Sequence, residues 1–127
     1  QKFLIHIGSF SKIKYKNIQN VIFVQNTNLF FKYMSQAQQV VVAGGNMMYE
    51  AIYLRKKPYV IVHNEHQNKF ALIASEKKLI NFVGKIKKIN FEKLLKTLME
   101  KKYINVNKTN FDNLGKVRIK KEIENLL

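Results

Sequence analysis

Cysteine is absent from the chain, proline occurs once, glycine five times, and acidic residues number only eight in 127. Without cysteine there is neither a disulfide nor a thiolate nucleophile, a composition that fits a cytoplasmic setting. No apolar run approaches the ~20 residues that a membrane-crossing helix needs. A secretory leader pattern is missing too. A chain that opens on Gln1 rather than methionine reads as processed, or as cut from something longer. Neither G-x-G-x-x-G nor a Walker lysine loop occurs.

What is abundant is positive charge. Lysine and arginine total 23, for a formal net charge of +15, yet only Arg55 and Arg118 are arginine. Such a charge draws phosphates, nucleic acid or an anionic membrane surface through long-range, salt-sensitive fields. Base recognition favours arginine forks beside exposed aromatics, and here the cations are dispersed lysines. Lysine, asparagine and isoleucine supply 21, 14 and 14 residues, the bias of an AT-rich genome. Solvated lysines on helix faces therefore account for the charge, and nucleic acid is the less favoured partner. An apolar share of 46% argues against disorder, and the length predicts one domain over residues 1–127.

Periodicity predicts alternating elements. Strands are expected at 3–8 (FLIHIG), 21–26 (VIFVQN), 40–45 (VVVAGG), 59–63 (YVIVH) and 79–84 (LINFVG). The β-branched runs at 40–45 and 59–63 predict strands covered on both faces of a parallel sheet. Helices are expected over 29–37 capped by Asn28, 47–55 capped by Asn46, 67–78, 91–102 capped by Asn90, and 116–127. Pro58 ends the second of these. The inward residues read as Leu29, Phe30, Tyr33 and Met34 on the first; Met47, Met48, Ala51, Ile52 and Leu54 on the second; Phe70, Ala71, Ile73 and Ala74 on the third. Leu94, Leu95 and Leu98 serve the fourth, and Val117, Ile119, Ile123 and Leu126 the last. Strands alternating with helices over short connections predict helices on both faces of one parallel sheet. Ligands bind such sheets beyond the carboxyl ends of the strands, where Gly8, Gly44, Gly45, Asn46 and the stretch from His63 to Gln67 fall.

Two adjacent glycines in a glycine-poor chain permit a sharp turn and a close backbone approach. The following helix offers unpaired N–H groups and partial positive charge, which together suit a phosphate. A plain strand-to-helix turn explains the pair equally well. Glu50, the first acidic residue after five lysines, lies four residues past Asn46. It reads either as a first-turn partner of the helix dipole or as an acceptor for two ribose hydroxyls. His63 and His66 flank a loop with no third ligand beyond Glu65, so no metal is expected. No Ser–His–acid arrangement is apparent, and His6 reads as a strand residue.

The helix ending YMSQAQ, the strand VVVAGG, Glu50, KKPYVIV and the HQN triplet resemble the nucleotide-binding half of two-domain UDP-sugar enzymes of the glycosyltransferase-B fold. The pattern is most similar to the UDP-sugar hydrolases of pseudaminic acid synthesis and their spore-coat polysaccharide relatives, and less so to the cell-wall N-acetylglucosaminyltransferases. Asp112, Gly115 and Arg118 in FDNLGKVRIKKEI resemble that group's terminal element. The resemblance covers roughly residues 20 to 124 and implies a Rossmann-like domain, half of a glycosyltransferase-B architecture. It implies that Gly44, Gly45, Asn46 and Met47 hold a diphosphate, that Glu50 takes the ribose hydroxyls, and that His66 and Gln67 face diphosphate or sugar. It further implies that Asn26 and Thr27 meet the uracil, that no cofactor is needed, and that the partner is a UDP-activated amino sugar of polysaccharide or nonulosonic acid synthesis.

Three departures stand out. Asn46, Met47 and Met48 replace hydroxyl residues, and His66 replaces asparagine. The family's opening Gly-Gly-x-Asp loop and its whole N-terminal domain, which carries the catalytic histidine in the hydrolases, have no counterpart. The resemblance thus implies a C-terminal half that is inactive alone. The rival expectation is a non-enzymatic basic α/β module on nucleic acid or an anionic membrane surface. A third is a structural domain whose Met-Met turn no longer binds.

Overall fold

The computed structural model describes residues 2–7, 19–25, 28–100 and 114–126. Its elements run β1 (Phe3–Ile7), β2 (Val21–Gln25), α1 (Phe30–Gln36), β3 (Val41–Ala43), α2 (Asn46–Tyr53), β4 (Tyr59–Val62), α3 (Glu65–Glu76) and β5 (Asn81–Lys85). A 3-10 turn (Ile86–Lys88), α4 (Phe91–Glu100) and α5 (Gly115–Leu126) follow. The chain is α/β, and all its described strand pairs are parallel. Expectations placed on Gly8, Asn26, Thr27 and Asp112 fall outside the described residues.

The described strands make two sheets instead of the single one expected, β1-β2 and β3-β4-β5. The chain divides likewise into two compact units, Gln1–Gln36 and Ala37–Leu127. In the first, β1 and β2 pair from Phe3↔Val21 to Ile7↔Gln25. The entry turn closes through Phe3 N–H donating to the Asn20 carbonyl at 2.8 Å, with Asn20 in the left-handed region at φ 64°. The His6 ring packs 4.6 Å from the Phe30 ring, so this histidine serves an aromatic contact. α1 starts at Phe30, and the Leu29 carbonyl accepts the Tyr33 N–H at 2.9 Å, which gives Leu29 the capping place expected of Asn28.

In the second unit β4 is the central strand, and its YVIV run behaves as a β-branched run between two neighbours should. Val60 and Val62 are wholly buried there, beside Met48 and Ile52 from α2. Each such side chain contributes ~1.5–3 kcal/mol by leaving water. β3 departs from expectation. It buries Val42, but Val41 is 42% exposed, so the strand is not covered on both faces. Among the described residues it pairs with β4 alone.

The inner face of α3 is also corrected. Ala71 and Ala74 are buried, whereas Phe70 and Ile73 are exposed. Small side chains let the helix sit close on β4 and β5, against which it packs, and the bulkier residues move to its flank. On α4 Leu98 is buried while Leu95 is exposed, and Asn90 caps the helix as expected, its side-chain oxygen accepting the Lys93 N–H at 2.9 Å. Lys56 is buried, and its ammonium donates to the Ala37 carbonyl at 2.9 Å, tying the approach to β3 to the approach to β4.

β5 continues through Gly84 instead of stopping there. The register against β4 skips Val83, and Gly84 adopts φ 126°, a bulge that only glycine takes without strain. The bulge carries Lys85 to the carboxyl edge of the sheet. Among the described residues no helix is long and apolar enough to cross a membrane.

Candidate functional site

Because β3, β4 and β5 run parallel, the turn after β3, the turn after β4 and Lys85 share one edge. The two glycines on it do different work. Gly44 is buried, and its N–H donates to the Ile61 carbonyl at 3.1 Å, extending the β3–β4 ladder by one rung. A Cβ on Gly44 would stand 2.8 Å from Val62 Cγ1, 3.2 Å from Gln67 Cβ and 3.3 Å from the Gln67 carbonyl oxygen. This glycine is required by packing, since α3 and β4 close on it from two sides. A Cβ on Gly45 would meet only Gln67 Nε2, at 3.8 Å. Its φ of −102° lies outside the left-handed region that favours glycine, and packing leaves room for a side chain there.

Gly45, not Asn46, is the N-cap of α2, and its carbonyl accepts the Met48 N–H at 3.0 Å. No side chain caps this helix. Among the described residues nothing accepts from the N–H groups of Asn46 and Met47. Asn46 is exposed, Met47 is half-buried, and Met48 points wholly into the core. The Met-Met pair therefore splits, with one methionine at the turn and the other packed inside.

Glu50 opens the second turn of α2, because the helix begins at Asn46. That corrects its placing in the first turn and weakens the helix-dipole account, since the dipole's influence fades within one turn. Its side chain is half-buried, one turn behind Asn46, and makes no ion pair among the described residues.

The stretch His63 to Gln67 is mostly helix, not loop, because α3 starts at Glu65. Asn64 caps it, its side-chain oxygen accepting the Gln67 N–H at 2.9 Å, while Gln67 Oε1 accepts the His63 N–H at 2.9 Å. N-x-x-Q is a variant of the capping box, a signal missed when the helix was expected to start at Gln67. Gln67 is thereby fixed with its carbonyl oxygen committed and its amide nitrogen turned toward Gly45. Its neighbour His66 goes elsewhere: it is exposed, with its ring 4.9 Å from that of Phe70. The turn brings together Gly44, Gly45, Asn46, Met47 and Gln67, and it leaves His66 on the flank of α3.

A further pair at this edge escaped sequence reasoning. The Lys85 ammonium is paired with the Glu65 carboxylate in the first turn of α3. Asn68 Nδ2 donates to the other carboxylate oxygen at 3.4 Å. Lys87 and Lys88 follow in the 3-10 turn, so two more lysines come just after β5. Only the bulge at Gly84 sets Lys85 opposite α3, and nothing in a single sequence announces it. The hydrogen bond from Lys85, then its charge, hold the Glu65 carboxyl below the usual carboxylate range. A depressed carboxyl favours the folded state above its unfolded pKa, and that contribution fades as pH falls through the folded value. Replacing Lys85 with methionine should raise the Glu65 titration midpoint toward the ordinary range, read by NMR across an acid titration. An unmoved midpoint would mean that the pair does not persist in solution.

With this geometry set out, comparison with known proteins yields no match: no family model, no curated protein and no solved structure is significantly similar to the chain.

Proposed function

We propose that the chain is the UDP-binding half of an enzyme that cleaves or transfers the sugar of a UDP-activated amino sugar. In this reading it is a Rossmann-like domain of a glycosyltransferase-B architecture, and the general base comes from the other half. The observation that carries the reading is Gly45. A residue that neither packing nor φ requires to be glycine leaves two helix N-terminal amides uncovered, beside a Gln67 amide nitrogen.

A diphosphate set there takes the amides of Asn46 and Met47, whose partial positive charge balances part of its own. The Gln67 amide donates from the neighbouring helix. Glu50, one helical turn on and without an ion partner among the described residues, accepts the ribose hydroxyls. Chemistry then consists of holding the leaving diphosphate with preorganised N–H donors while the other half of the architecture supplies the proton transfer. The lysines beyond β5 add a favourable field at the same edge without having to touch the ligand.

The ribose assignment has its own test. Wild-type chain should bind UDP about ten-fold more tightly than 2′-deoxy-UDP, and in Glu50→Ala that preference should vanish as UDP binding weakens to the deoxy level. Calorimetric titration reads both ligands against both proteins. A preference that survives in the variant would remove Glu50 from the ribose.

A further inference from the structure

We propose that α5 docks this chain on an anionic lipid bilayer. The argument starts from an imbalance within the helix. α5 is 12 residues long, and every residue described from Leu114 through Asn125 is exposed. Helices of this length are marginal in water when nothing is buried against them. Val117, Ile119 and Ile123 are 62%, 63% and 53% exposed, and the two isoleucines lie one turn apart on the same face, where their side chains gain nothing from water. Such a helix is stabilised when its apolar row is covered.

Charge selects what covers it. Ile119 and Ile123 are one turn apart and form a row, and Lys116 and Lys120 form the adjacent row one turn apart in the same way. Lys120 also reaches Glu124 at 3.7 Å across an exposed i,i+4 pair, and with Arg118 and Lys121 the helix carries four cations against two carboxylates, Glu122 and Glu124. Isoleucines beside lysines match the interface of an anionic bilayer: the apolar row enters the acyl boundary and the ammonium groups rise to the headgroups. A second copy of this chain is a poor occupant, because each copy carries +15. Nucleic acid would use the cations and leave the isoleucines in water. The net charge of the rest of the chain adds a salt-dependent attraction to the same surface.

The test is co-sedimentation of the full chain with vesicles of phosphatidylglycerol mixed into phosphatidylcholine, against phosphatidylcholine alone. The chain should pellet with the anionic vesicles only. Ile119→Ser combined with Ile123→Ser should lower the partition coefficient about ten-fold or more, and Lys116→Gln with Lys120→Gln should lower it several-fold and flatten its salt dependence. All four positions are exposed, so thermal unfolding and UDP titration should be unchanged in both double variants, which separates this result from the nucleotide-binding reading. Failure of wild type to pellet with anionic vesicles would overturn the proposal. So would pelleting that the serine pair leaves intact, since attraction by diffuse charge alone would then suffice.

Discussion

Replacing Gly44 with alanine should destabilise the chain by about 1–3 kcal/mol, the cost of forcing one methyl group into a closed interior. The new Cβ would lie 2.8 Å from Val62 Cγ1. Val62 is wholly buried on the central strand and has no room to retreat. On the other side stand the Cβ and carbonyl oxygen of Gln67, at 3.2 and 3.3 Å, which belong to α3 and move only if the helix moves. Shifting α3 would strain the bond from His63 N–H to Gln67 Oε1 that closes the turn after β4. Equilibrium denaturation should therefore show a lower midpoint with an unchanged slope. A variant as stable as wild type would mean that α3 does not rest on Gly44.

Much of the scaffold was legible from apolar periodicity. Strands expected at 3–8, 21–26 and 59–63 are found at Phe3–Ile7, Val21–Gln25 and Tyr59–Val62, and the parallel pairing and the Asn90 cap also follow from patterns visible in the chain. The failures have physical causes. VVVA and YVIV look alike, yet β3 leaves Val41 exposed while β4 buries Val60 and Val62, a difference set by what packs on each strand. On α3 Ala71 and Ala74 are inward as expected but Phe70 and Ile73 are not, because the alanines alone allow a close approach to the sheet. The cap of α2 moved by one residue, from Asn46 to Gly45, and that step carried Glu50 out of the first turn.

At the site, the glycine pair was legible as a turn, but not the division of labour within it. Distinguishing a glycine needed for packing from one left open takes the positions of Val62 and Gln67, which come from a different strand and helix. His66 and Gln67 are adjacent in sequence and were expected to act together. Helical geometry separates neighbours by about 100°, and it sends one to Phe70 and the other to Gly45. The Lys85–Glu65 pair spans 20 residues and depends on a bulge, beyond the reach of any local pattern.

The open glycine supplies the second large effect and the most direct test. Aspartate at position 45 suits the N-cap it would occupy, so Gly45→Asp should hold or raise stability by a few tenths of a kcal/mol. Its carboxylate would take the amides of Met47 or Met48 and set a negative charge where the diphosphate belongs. The measurement is calorimetric titration of UDP into wild type and Gly45→Asp at low and high salt, with denaturation run alongside. Saturable binding to wild type that survives salt, and a loss of about a hundred-fold or more in a variant that is equally well folded, is the predicted result. No saturable binding to wild type, or equal binding by the aspartate variant, would contradict the assignment of the Gly45 turn as a diphosphate site.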